Sequence, residues 1–215
     1  MTDDAADPDT GAGDVNLTEK INQTNVDERI SSLEAAYDDV PVTEETFELS
    51  PDEYADVFAA TRGTGYSGNS VVFVTRDGTD FPELSGQIPD QAAGDTRDRV
   101  LLVLGRSADM WALPGGGKGD EYESIQGTAV RRVNEQTGIR CTVTGVAEVV
   151  HSKYYPATDA QGSVHTLDIY LEAEYKKGRL AVDGSELVGA AWFAEPPERL
   201  TPGAEEQFEA FLDDK

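Results

Sequence analysis

The chain has 215 residues, 42 of them acidic against 17 Lys and Arg, for a formal net charge of −25. That sign opposes binding to nucleic acids and to anionic membranes, and a single cysteine, Cys141, excludes an internal disulfide and any cysteine-based zinc cage. The apolar content of 38% is enough for one compact domain with an appendage; acidic excess on such a chain fits a proteome adapted to high salt, where self-repulsion is screened.

Residues 1–22, opening MTDDAADPDTGAGD, are small, polar and acidic, and are expected to be a disordered tail. They lack the basic segment and apolar core of a secretion signal, and no apolar run approaches the ~20 residues that span a bilayer, so a cytoplasmic location is expected. Residues 23–68 read as a helical extension. Val26, Ile30, Leu33 and Tyr37 recur at helical spacing, with Asn25 and Glu28 as a capping pair. This stripe is expected to pack on the domain or on a second copy in a homodimer. Thr46–Leu49 is a short strand. Ser50-Pro51-Asp52-Glu53 then starts a helix, with Ser as cap, Pro at the first position and Glu three residues past the cap; it should run to about residue 60 and bury Tyr54, Val57 and Phe58.

The main domain is expected over 69–215. Ser70–Arg76 and Arg99–Leu104 are strands, separated by an acidic loop, Gly78–Asp98. Met110–Leu113 leads into Pro114 and Gly115-Gly116-Gly117. A helix follows near Ser124–Gln136, closed by Gly138 as a left-handed cap. Cys141–His151, Val164–Tyr175 and Leu187–Phe193 are further strands, with a turn at Lys176-Lys177-Gly178. A final amphipathic helix over 204–212 carries Phe208 and Phe211. Strands bracketing one central helix, with a second helix at the end, give an α/β sandwich order.

The chemistry concentrates at the central helix. Positions 132, 135 and 136 share one face, while Ile125, Ala129 and Val133 mark a different, apolar one. The three glycines let the backbone turn tightly and approach a ligand, and helix N-termini with exposed amides suit phosphate. A carboxylate cluster beside a phosphate site is the usual way to hold Mg²⁺.

The stretch from Gly117 to Ile139 resembles the Nudix box, G-x5-E-x7-R-E-U-x-E-E-x-G-U with U aliphatic. Gly117, Glu123, Arg131, Val133, Glu135, Gly138 and Ile139 fill it at the correct spacing, after a Leu-Pro-Gly-Gly-Gly lead-in. The resemblance covers about residues 70–200. It implies an α/β/α Nudix sandwich of mixed sheet, a nucleotide-type small-molecule partner, and Mg²⁺ or Mn²⁺ activating water against a diphosphate linkage. It further implies Glu135 and Glu123 as catalytic metal ligands, with a carbonyl of Gly116 or Gly117 near the metal. Gly115, Gly116, Gly117 and Lys118 would lie along the phosphates. Arg131 would pair with the carboxylates, and Gly138 would be structural.

Two positions depart from the box: Arg132 and Gln136 stand where it has glutamates. At ~4 Å and an effective dielectric near 20, each unit charge pair is worth about 4 kcal/mol before screening. Three outcomes are open. Arg132 abolishes metal binding; or it replaces the metal, since a guanidinium grips phosphate oxygens in a bidentate fork; or Asp120, Glu121, Glu172, Glu174 or Glu186 supplies substitute ligands. Three functions are weighed: a Mg²⁺-dependent hydrolase of nucleoside diphosphate-linked substrates, a non-catalytic module in which Arg132 grips a nucleotide diphosphate as a sensor, and a structural partner in an oligomer through the 25–60 region.

Other residues read more plainly. Tyr155, with Tyr154 and Pro156, lies where several Nudix subfamilies place a nucleotide-selecting group, but an ordinary strand-end turn explains it as well. His151 and His165, the only histidines, read as satisfied structural residues. Trp111, Tyr170 and Cys141 read as core.

Overall fold

The computed structural model describes residues 19–64, 68–78, 97–117, 124–158, 162–182 and 184–213. Most of the expected acidic tail and of the loop after Gly78 lies outside them.

In chain order the elements are β1 (Lys20–Ile21), α1 (Gln23–Ala36), β2 (Val42–Leu49), α2 (Pro51–Thr64), β3 (Ser70–Arg76), β4 (Arg99–Gly105), β5 (Trp111–Ala112), β6 (Gly115–Gly116), α3 (Ile125–Thr137), β7 (Ile139–Pro156), β8 (Ser163–Gly178), β9 (Leu187–Phe193) and α4 (Pro202–Asp213). One mixed sheet runs β2-β7-β8-β3-β4-β5, with β1 on β8, β6 on β3 and β9 on β4. Strand alternation divides the core into two layers. Val72, Val74, Leu167, Ile169 and Leu171 face one way and pack with Val26 and Leu33 of α1 and with Ala129 and Val133 of α3. Phe73, Val100 and Leu102 face the other way and meet Ala204 and Phe208 of α4. Tyr54 and Phe58 of α2 pack with Val164 and Ile21. The result is an α/β/α sandwich.

The capping box of α2 forms as read: the Glu53 carboxylate accepts from the Ser50 amide (3.0 Å) and hydroxyl (2.6 Å). At α1 the expected cap is displaced. The helix begins at Gln23 after Asn22, which adopts φ 63° without a side-chain cap bond, and Asn25 lies inside the helix. Asparagine tolerates the left-handed region, which breaks the chain between β1 and α1 three residues early.

Several strands outrun their sequence signal. β2 begins at Val42, because the whole segment pairs in parallel with β7, from Val42 opposite Val149 to Leu49 opposite Pro156. Its alternation is masked by near-complete exposure. β7 and β8 form one long antiparallel ladder, closing Ile139 against Gly178, so Lys176-Lys177-Gly178 is strand rather than turn. Residues 19–64, the described part of the region before residue 68, therefore hold two helices and also add strands to the sheet. The stripe on α1 packs on the domain itself: Val26 and Leu33 are 0% and 1% exposed.

Candidate functional site

The site is built around α3. Ser124 accepts from the Gly127 amide at the N-terminus, and Gly138 closes the helix with φ 72°. A Cβ at Gly138 would stand 2.6 Å from the Arg179 carbonyl oxygen, so the position needs glycine for both conformation and space. With Ala129 and Val133 fully buried, the helix cannot rotate, and residues 132, 135 and 136 are held toward the glycine loop and the start of β9.

The loop approaches closely. β6 pairs antiparallel with β3, Ser70 opposite Gly116 and Val71 opposite Gly115. A Cβ at Gly115 would lie 2.3 Å from the Ser70 carbonyl oxygen; one at Gly116 would lie 3.0 Å from both Nε and an Nη of Arg132. The glycines thus let the Arg132 guanidinium lie on the backbone itself.

Gln136 has a defined task here. Its amide nitrogen donates to the Gly115 carbonyl (2.9 Å), and its amide oxygen accepts from the Gly115 N–H (2.9 Å). A carboxylate can supply only the second of these bonds. The side chain therefore locks the glycine loop to α3.

Arg132 sits among acids. One terminal nitrogen lies 3.5 Å from Glu135, and the other donates to Glu186 at 3.3 Å, just before β9. Its Nε is buried with no hydrogen-bond partner among the described residues. Arg131 also donates to Glu135, at 2.8 Å. Arg132, Glu135, Gln136, Ser185, Glu186 and Leu187 line a cavity of about 240 Å³.

The described part of the box does not fit a divalent ion. Glu135 is claimed by two guanidinium groups, Gln136 is committed to the backbone, and no three His, Cys, Asp or Glu among the described residues are placed to hold a metal. Glu123 and Lys118, with Asp120 and Glu121, lie outside the described residues. Of the other acids considered from sequence, Glu186 reaches the site, whereas Glu172 and Glu174 pair along β8 with β3 and β7.

Tyr155 sits on β7 opposite Glu48 of the edge strand and lines neither this cavity nor the one beside α1. Gly117 lies at the mouth of the loop, where an added Cβ would only graze Asn69 at 3.9 Å. His151 and His165 are buried and bonded to each other at 2.9 Å. Trp111 packs edge-on against Phe193, Tyr170 packs beside α4, and Cys141 is buried, which pushes its thiol up to about 11. Sequence reading passed over Arg29 of α1, which lines a second cavity at the start of α3. The available signal was a lone cation on an otherwise acidic helix.

Compared with known families, residues 93–212, more than half of the chain, match the NUDIX domain. Among solved structures the chain is similar to a MutT NUDIX hydrolase from Burkholderia pseudomallei (19% identity, 66% of this chain and 95% of that one, TM-score 0.44). It is also similar to an ADP-ribose pyrophosphatase from Streptococcus suis (18%, 68% and 90%, TM-score 0.43) and a NUDIX-family hydrolase from Clostridium perfringens (12%, 69% and 97%, TM-score 0.47). The comparison with curated proteins finds no match.

Proposed function

Because the chain belongs to the NUDIX family, we propose that it binds a nucleoside diphosphate-linked small molecule at the cavity beside α3, with Arg132 as a tethered cation where the family's box places metal-binding glutamates. The observation that carries this reading is the position of the Arg132 guanidinium, between Glu135 and Glu186 and against Gly116. A guanidinium offers phosphate oxygens paired donors. A fixed positive charge gives affinity for a diphosphate but cannot lower the pKa of a bound water as a metal does. The function follows as recognition without box-type hydrolysis.

One observation favours a second reading, metal-dependent hydrolysis of the same class of compound. Glu135 and Glu186, both exposed, converge on a single cation and would be left facing each other if Arg132 swung toward a ligand.

Calorimetric titration of nucleoside diphosphate derivatives, with EDTA or with Mg²⁺, separates the two, beside product release from the same panel. Binding that persists in EDTA and weakens in Arg132→Gln supports recognition. Turnover that needs metal and vanishes in Glu135→Gln overturns it in favour of hydrolysis.

A further inference from the structure

Arg29 differs from several other arginines of this chain. Arg62 pairs with Glu19, Arg97 with Glu195, Arg131 and Arg132 with Glu135, and Arg199 with Asp109. Arg29 is half-buried and makes no ion pair or hydrogen bond with a described residue; burial alone pushes its guanidinium below the ordinary value, with no carboxylate offsetting it. In a protein of net charge −25, a partly desolvated cation without a carboxylate partner is costly unless an anion reaches it.

The surroundings are those of an oxyanion site. Arg29 lines a cavity of about 230 Å³ with Ser32, Ser70, Ser124, Gln126 and Thr128. Ser70 is 6% exposed, and its hydroxyl has no hydrogen-bond partner among the described residues. The cavity lies at the N-terminal turn of α3, a 13-residue helix whose positive end favours negative charge. No carboxylate of a described residue lines it.

We propose that Arg29, delivered by α1 from outside the family-matched region, and Ser70 form with the start of α3 a second subsite for a phosphate group of the bound ligand. The inference deepens the reading of Arg132 as an anion-binding cation. Thr128, which lines this cavity, and Arg132, which lines the other, are four residues apart and so share one face of α3, about one helical turn from each other. Ser70 is also the residue opposite Gly116, which Arg132 covers. A diphosphate-linked molecule lying along this face meets Arg29 at one end and Arg132 at the other.

The test is titration of inorganic diphosphate, in EDTA, into the full chain and into Arg29→Met and Arg132→Gln separately. Methionine keeps the apolar packing of the arginine stem and removes only the charge and donors. Arg29→Met is expected to weaken diphosphate binding by roughly tenfold or more, the loss of charge-assisted hydrogen bonds. It is also expected to abolish the rise in melting temperature that diphosphate gives the parent, while melting no lower than the parent in its absence. If Arg29→Met binds diphosphate like the parent, or if the parent does not bind it at millimolar concentration, the subsite is overturned. In the first case loss of binding in Arg132→Gln would leave the Arg132 reading standing, so the two fail separately.

Discussion

At the residue scale, Gln136 and Arg132 explain each other. The amide of Gln136 satisfies both backbone groups of Gly115, which brings the loop close enough for Arg132 to lie over Gly116. Gln136→Glu restores the family's residue but sets a carboxylate oxygen against the Gly115 carbonyl. It should destabilise the fold by about 1–3 kcal/mol, the cost of a lost and unmet hydrogen bond. Urea unfolding measures this, and a variant as stable as the parent would remove the clamp from the account.

The histidine pair predicts a pH dependence. The Ser163 hydroxyl lies 2.8 Å from His165, and Glu44 lies 3.7 Å from His151. Donation from Ser163 to His165, from His165 to His151, and from His151 toward Glu44 gives every donor an acceptor with both rings neutral. Burial, then His151 and Lys153, hold His165 down to about 4, against the pull of Asp27. Burial, then Lys153, lowers His151, opposed by Glu44 and Asp27. An unfolded chain therefore takes up these protons first as pH falls. The stability from neutral His165 is complete above an unfolded pKa of about 6.5 and is lost between there and about 4, by on the order of 3 kcal/mol. Unfolding free energies measured across this range should fall less steeply for His165→Gln; identical slopes would exclude the pair as the cause.

At the scale of elements, α3 is held at both ends by groups visible in the sequence, and its C-terminal cap is the more demanding. Gly138→Ala keeps the helix sequence but must adopt φ 72° with its methyl against the Arg179 carbonyl. The left-handed conformation alone costs about 1–2 kcal/mol. Chemical denaturation should show at least that loss, whereas Ser124→Ala should cost about 1 kcal/mol through its single cap bond. If the two variants were equal, the crowding at Gly138 would not be felt. β2 is a different case. It is an exposed edge strand whose Phe47 stacks on Tyr154 with ring centroids 5.2 Å apart. Its eight-residue length comes from pairing with β7, and nothing in its own alternation marks where it begins.

At the scale of the whole molecule, the charge of −25 is a repulsive field acting on the compact state. Raising KCl from low to molar concentration shortens the screening length to a few Å, so the melting temperature should climb steeply with salt. A flat or falling melting curve would mean that the acidic surface does not limit stability. No helix among the described residues is long and apolar enough to cross a membrane.

Local signals in the chain carried much of this protein. The capping box at Ser50, the glycine cap at Gly138, the apolar faces of α3 and α4 and the box spacing each depend on residues a few positions apart, and each led to the element observed. Periodicity also placed Val26 and Leu33 on a buried face of α1. The direction of the Arg132 side chain, the use of Gln136, the recruitment of Glu186 and the presence of Arg29 at the start of α3 were decided by tertiary structure. Each depends on contacts between segments remote in sequence, 54 residues apart for Arg132 and Glu186. A side chain's partner is then set by how the sheet and helices pack, which no local pattern encodes.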